Sequence, residues 1–335
     1  MPLIRGAVVN WPMLAPPQLA TMLRFSRLLR RAAPLVAADD TSTTVEQCVE
    51  GLASDRTFKD AFVYPLLLAG WGMDLKEFRK IAAYNPLKYL VMREAGAFGR
   101  AHLREVVGGT RTYVDALARQ IARVRVKTSA TVREVTRPAG RYVARDSEGE
   151  TREFDHLILA TGAGEARELV AKLQGAEALR RELGRVEYFK TSIAVHADRR
   201  LMPLDRRHWS VINIRHDGAQ SLNTVWKPWA SRRRPVFRSW IAPEAELPEP
   251  LFSLATYHHP KVSPAYFEAQ RTIAPLQGRD GLWLAGMYLH DVDCHESAIL
   301  SAVEVARRVG AAPERLAGVA PGRDDAPAQV PGTQR

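Results

Sequence analysis

GLWLAGMYLHDVDCHESAILSAVEVARRVG, residues 281–310, is the stretch that decides the fold. It opens on a short apolar run, Leu282-Trp283-Leu284-Ala285, that stops at Gly286. A polar segment follows, Tyr288 to Cys294. His295-Glu296-Ser297 then opens a run with apolar residues at Ile299, Leu300, Val303, Ala306 and Val309, the three- and four-residue spacing of a helix. Strand, glycine, polar loop and helix N-terminus are the parts of a ligand cradle. The first N–H groups of the helix have no intrahelical partner, and they carry the positive end of its dipole.

The rest of the chain supplies a setting for that cradle. At 335 residues it can bury a sizeable core and suits one large or two modest domains. It is 46% hydrophobic and 25% charged, which excludes a disordered or fibrous class. No apolar run approaches the roughly 18 residues of a membrane span. MPLIRGAVVNWPMLAPP at the N-terminus has no signal-peptide pattern. Two cysteines, Cys48 and Cys294, offer no disulfide framework, so the expected location is cytoplasmic. The net charge of +11 rests mostly on arginine, with clusters at Arg27 to Arg31 and at Arg232-Arg233-Arg234. A solvated basic surface accounts for this, and so does attraction to anionic headgroups at the inner membrane face. Nucleic acid is not expected, since there is no zinc finger, RNP pattern or basic recognition helix.

Residues 12 to 95 read as mainly helical. Gln18 to Ala33 carries Leu19, Met22, Leu23, Phe25 and Leu28-Leu29 on its apolar side. Thr43 and Glu46 have capping-box spacing for a helix running through Leu52. Phe58 to Met73 reads as an apolar helix that Pro65 kinks or restarts. Thr110 to Arg123 is an amphipathic helix. Short strands are expected at Val124–Lys127, Val132–Thr136, Tyr142–Arg145 and His156–Ala160, then a helix from Glu165 to Leu173. Residues 186 to 260 alternate strands with turns. Ala311 to Arg335, rich in Ala, Pro, Gly and charge, reads as a disordered tail.

Four motifs carry chemistry. Gly162-Ala163-Gly164-Glu165-Ala166-Arg167 follows a strand and opens a helix, the context of a dinucleotide fingerprint. Arg167 replaces the third glycine, so a small-residue turn that lets backbone approach a cofactor fits better. Val107-Gly108-Gly109-Thr110 places paired glycines before a helix. It is either a tight turn or a second close approach to a ligand. His290, Asp291, Asp293, Cys294, His295 and Glu296 are metal-ligating types without metal-site spacing, and no metal is expected. In Tyr257-His258-His259-Pro260 the adjacent histidines point to opposite sides of an extended segment, so at most one faces a given site. Histidine suits proton transfer near neutrality, although a surface or structural histidine is the leading reading of these residues alone.

In this order the pieces resemble the flavin-containing amine oxidase superfamily, and within it the bacterial predicted NAD/FAD-binding oxidoreductases. The likeness runs from about Trp11 to Gly310. It passes through Trp11-Pro12, Tyr64-Pro65, Gly70-Trp71, Val107 to Val114, Leu157 to Thr161, Val195-His196-Ala197-Asp198, Tyr257 to Pro260, and His295 to Ala298 with Ser301. The resemblance implies a mixed α/β fold of the glutathione-reductase-like, amine-oxidase-like two-domain kind, with FAD as cofactor. It implies that Gly108, Gly109, Thr110, Val132, Ala160, Thr161, Gly162, Gly286, Met287, His295, Glu296, Ser297 and Ala298 approach that cofactor. The N–H groups of Ser297 and Ala298 would face the ring edge that gains negative charge on reduction.

The family opens with a strand, a GxGxxG turn and a helix, which do not occur here. The expectation is therefore a fold without its first βαβ unit, through truncation or with a separate Rossmann-containing chain as partner. A poorly soluble or oligomeric chain is expected alone. Met287 stands where the wider family often has Glu, and Leu289 to Cys294 replaces a glycine-rich run. The expected domains are residues 1–100 and 176–275 for substrate, 101–175 and 276–310 for FAD, and the 311–335 tail. Trp71, Tyr257 and His259 are the candidate catalytic-pocket residues. The expected reaction is hydride transfer from the C–H bond of a small, hydrophobic molecule, an amine or a lipid-like acyl chain. The alternative is a binding or scaffold protein that kept the fold and lost the flavin.

Overall fold

A computed structural model describes residues 3–4, 7–8, 16–91, 105–121, 124–229, 231, 234–242 and 245–311. The expected tail from residue 312 onward, Trp11-Pro12, and Arg232-Arg233 lie outside the described residues. In chain order the elements begin with two short paired strands, β1 (Leu3–Ile4) and β2 (Ala7–Val8). Among the described residues seven α-helices follow: α1 (Pro16–Ala37), α2 (Val45–Glu50), α3 (Arg56–Phe58), α4 (Tyr64–Leu68), α5 (Leu75–Phe78), α6 (Tyr84–Val91) and α7 (Arg111–Gln120). Next come β3 (Val132–Thr136), β4 (Tyr142–Asp146), β5 (Thr151–Phe154), β6 (Leu157–Leu159), α8 (Ala163–Leu169) and α9 (Glu177–Leu183). The chain continues through β7 (Tyr188–His196), β8 (Ile212–His216), β9 (Ser221–Trp226), β10 (Phe237–Ile241) and β11 (Leu251–Pro260). It closes with α10 (Pro264–Ile273), β12 (Leu282–Leu284) and α11 (His295–Arg308). With 43% of the described residues helical and 22% in strands, the class is mixed, as the sequence indicates.

Two compact units result, Met1–Ala130 with Tyr188–Pro264, and Thr131–Glu187 with Ala265–Arg335. The first has a helical core of Leu28, Val49, Val63, Tyr64, Leu68, Phe78 and Leu87, all buried. The helix expected over residues 58–73 is broken up for a physical reason. Pro65 has no N–H to donate and its ring crowds the carbonyl four residues back. The ladder loosens to a five-residue bond, Tyr64 N–H to Lys59 O, giving a π-turn over Lys59–Val63. Pro65 then sits in the first turn of α4, where no N–H is required. The α2 capping box is shifted by one residue from the Thr43/Glu46 expectation. Thr44 accepts from Gln47 N, and Gln47 Oε1 accepts from Thr44 N. Thr43 is engaged instead by Asp40, its hydroxyl donating at 2.6 Å.

The five-stranded sheet of this unit is fully antiparallel, in the order β11-β7-β10-β9-β8. Phe189 of β7 packs against the helical core. Within the sheet lies a buried polar chain. His196 Nε2 and Ser239 Oγ are 2.8 Å apart, and Ser239 Oγ and Thr224 Oγ1 are 2.7 Å apart. Asp198 N–H donates to His196 Nδ1 at 3.1 Å, so the imidazole is neutral with its proton on Nε2. Burial holds its pKa below the ordinary value of 6.5, and the nearby Asp198 opposes this.

The second unit holds an antiparallel sheet, β3-β4-β5, and the parallel pair β12-β6. The strand expected at Val124–Lys127 is absent and that segment is irregular, whereas β5 pairs with β4 and was not expected. Val124 and Val126 are both exposed, so alternating valines there meet no partner strand. Buried Tyr142 ties β4 to the approach of β12, its hydroxyl donating to Asp280 O at 3.1 Å.

Candidate functional site

The second unit assembles the cradle. β12 runs parallel to β6 in the register Leu282↔Leu157, Trp283↔Ile158 and Leu284↔Leu159. Ala285 N–H extends this ladder to Leu159 O at 3.0 Å. Both strands therefore release their chains at the same end, β6 into Ala160-Thr161-Gly162 and β12 into Ala285-Gly286-Met287. The crevice beyond the carboxyl ends of parallel strands is where such sheets take ligands. Ala160 and Thr161 are exposed there, and Gly162 caps α8 without a side-chain bond.

Gly286 is required by packing. A Cβ at this position would lie 2.8 Å from Cε1 of Tyr288 and 3.5 Å from Thr161 O. Tyr288 is buried, so it cannot yield. Gly286 N–H donates to Ser301 Oγ at 2.9 Å, and Ser301 Oγ donates to Ala298 O at 2.8 Å. One hydroxyl thus clamps the glycine turn to the first turn of α11. Met287 is fixed in turn, its carbonyl accepting from Tyr266 Oη at 3.0 Å.

The N-terminus of α11 has Cys294 as its cap residue and no side-chain cap bond. Cys294 Sγ instead lies 3.2 Å from Ser297 Oγ. His295 and Glu296 are exposed, Ser297 is buried and Ala298 is half-buried. An uncapped helix start of this length, next to a glycine turn at the mouth of a parallel strand pair, fits an electron-rich ring or phosphate group. The residues present therefore fit the cofactor that the sequence suggests.

Other predicted residues fall elsewhere. Val132 lies at the exposed start of β3 in the same unit. Gly108, Gly109 and Thr110 belong to the first unit, before α7. Gly108 and Gly109 have φ of +81° and +82°, a conformation that calls for glycine. The glutamate before this turn, Glu105, is held by Lys227 Nζ and by Trp229 Nε1 at 3.2 Å. Among the described residues, the close carboxylate group is Asp146, Glu148 and Glu150. It belongs to the β4–β5 hairpin, where Asp146 accepts from the N–H groups of Glu148 and Glu150.

Trp71, Tyr257 and His259 lie together on one side of the first unit's sheet. Tyr257 pairs with Thr191 and His259 with Phe189, and cross-strand partners share a face. The Thr191 hydroxyl reaches Gly72 O at 3.4 Å, next to Trp71. His259 and Phe189 rings are 5.5 Å apart, while His258 pairs with Lys190 on the opposite face. Trp71 is mostly core, against Phe78 and Tyr89 at 5.8 and 5.9 Å, whereas Tyr257 is 51% exposed. The sequence reading missed the clamp role of Ser301 and the wedge of Tyr288. The available signal was spacing, since Ser301 follows Ser297 by one helical turn.

Residues 7–210, more than half of the chain, match the sequence pattern of the flavin containing amine oxidoreductase family. No curated protein matches the sequence. Among solved structures, the chain resembles a CLA-producing fatty acid isomerase from P. acnes at 12% identity and a TM-score of 0.60, over 91% of this chain and 78% of that one. It resembles cyclohexylamine oxidase from Brevibacterium oxydans at 10% identity and 0.60, over 92% and 80% of the two chains. A putrescine oxidase with redesigned cofactor binding aligns at 11% identity and 0.57, over 88% and 75%. At such identities the likeness shows the fold.

Proposed function

The chain belongs to the flavin containing amine oxidoreductases and is an FAD-dependent oxidoreductase, and from that premise we propose that its substrate is a small, largely apolar amine or acyl compound oxidised at a C–H bond. FAD supplies the hydride acceptor when bound. The chain's own contribution is placement and electrostatics. Ala160 to Gly162, Gly286 and Met287 give small-residue backbone for close approach. The N–H groups opening α11, through Ser297, offer fixed positive dipoles to the ring edge that becomes electron-rich, at no reorganisation cost, whereas the Ala298 N–H, expected to join them, donates to Cys294 O at 3.4 Å. Ser301 holds those two parts in register.

Substrate binding is proposed on the sheet face carrying Tyr257 and His259, above the aromatic core around Trp71. The tyrosine and histidine would orient a polar head, and the apolar floor would take a hydrocarbon body. An amine as substrate is supported by the family, and an acyl chain by the fatty acid isomerase that shares the fold.

The observation that carries this reading is the Gly286–Ser301–Ala298 clamp beneath an uncapped helix start. The test is anaerobic mixing of the FAD-loaded protein with panels of primary amines and of fatty acids, followed by visible absorbance. Bleaching by one panel identifies the class. No bleaching by either panel in a protein that retains flavin would overturn the substrate assignment.

A further inference from the structure

The longest helix among the described residues, α1, has a face that neither the core nor the site uses. Its 22 residues contain four arginines and no acidic side chain. Leu28 and Ala32 point inward and are buried, with Phe25 and Leu35 packed beside them. Arg24 pairs with Asp55 at 2.8 Å. Arg27 and Arg30 are exposed, and no ion pair engages either among the described residues. Leu23, 63% exposed, lies one turn before Arg27. Residues 23, 27 and 30 follow the four- and three-residue spacing of a single helical stripe.

We infer that this stripe docks the protein on an anionic membrane surface. Charge complementarity selects the partner's sign. Two unpaired guanidinium groups on an acid-free helix match lipid phosphates, which they can grip with two parallel N–H bonds. The exposed leucine selects its class. An apolar side chain beside arginines suits the headgroup–acyl boundary, where amphipathic surface helices lie. A nucleic acid would engage the arginines but leave Leu23 unused, whereas the headgroup–acyl boundary takes both. No described helix is long and apolar enough to cross a membrane, so contact through α1 is peripheral. A substrate dissolved in that membrane would be close at hand, but the docking inference stands without the substrate assignment.

Co-sedimentation with phosphatidylcholine vesicles, with and without phosphatidylserine, tests it. The chain should partition onto phosphatidylserine vesicles and be released as salt screens the charge. Each arginine near an anionic surface contributes about fivefold to the partition constant, so the Arg27→Gln, Arg30→Gln variant should lose about 25-fold. The Arg27→Lys, Arg30→Lys variant should keep most of the binding, and Leu23→Ala should weaken it at unchanged salt dependence. Circular dichroism melting like the parent's will show that the variants fold. Equal binding by the glutamine variant, equal binding to neutral vesicles, or retention on duplex DNA but not on vesicles would each overturn the inference.

Discussion

Replacing Ser301 with alanine tests the cradle at its narrowest point. The hydroxyl accepts from Gly286 N–H at 2.9 Å and donates to Ala298 O at 2.8 Å, in a side chain only 3% exposed. Removing it leaves a buried N–H without its acceptor, at a cost of about 1–3 kcal/mol. Alanine's better helix propensity returns about 0.5 kcal/mol. The expected loss is therefore about 0.5–2.5 kcal/mol, seen as a lower urea midpoint at unchanged slope. If the clamp sets the distance between Gly286 and the start of α11, FAD affinity falls as well. A transmitted loss of about 1.4 kcal/mol corresponds to tenfold in Kd. Ser297→Ala, which removes only a weak contact to the Cys294 thiol, should cost less than half as much stability. The assay pairs urea denaturation with FAD titration by flavin fluorescence. An unchanged midpoint together with an unchanged Kd in Ser301→Ala would refute the clamp.

Three further outcomes follow from the packing and the charges. Gly278→Ala should destabilise by about 2–5 kcal/mol in chemical denaturation, combining left-handed backbone strain with overpacking, because φ is +79° and a Cβ would lie 2.4 Å from the buried Trp283 ring. Burial keeps His196 neutral in the fold, with its pKa below 6.5. The unfolded chain therefore binds the extra proton first, and stability should fall as pH drops below about 6.5; in His196→Asn that part of the slope should vanish. Tyr257→Phe and His259→Ala should each raise KM about tenfold while leaving FAD affinity unchanged, and a loss of FAD binding instead would remove them from the substrate face.

The closing stretch was legible in the sequence because each of its parts has a local cause. Leu282 to Leu284 is a buried apolar run of strand length, Gly286 is excluded from bearing a side chain, and the 295–308 helix has three- and four-residue periodicity. Several features were not legible because their causes are distant or shared. The π-turn before Pro65 depends on how the chain absorbs one missing N–H, which allows either a kink or a restart. The capping box moved by one residue because Asp40 competes for Thr43. Val124–Lys127 alternates like a strand but has no neighbour to pair with, while β5, with its mostly exposed residues, is a strand because β4 lies beside it. The hydroxyl of Ser301 looked like any helix serine until the turn it reaches was in place.

The most direct test of the central claim is flavin retention. The purified chain is incubated with FAD, passed through gel filtration, and its visible spectrum recorded alongside circular dichroism. Stoichiometric flavin co-eluting with folded protein, and reduced retention in Ser301→Ala, is the predicted result. A folded chain that elutes with no flavin would contradict the assignment of Ala160 to Gly162, Gly286-Met287 and the start of α11 to a cofactor cradle.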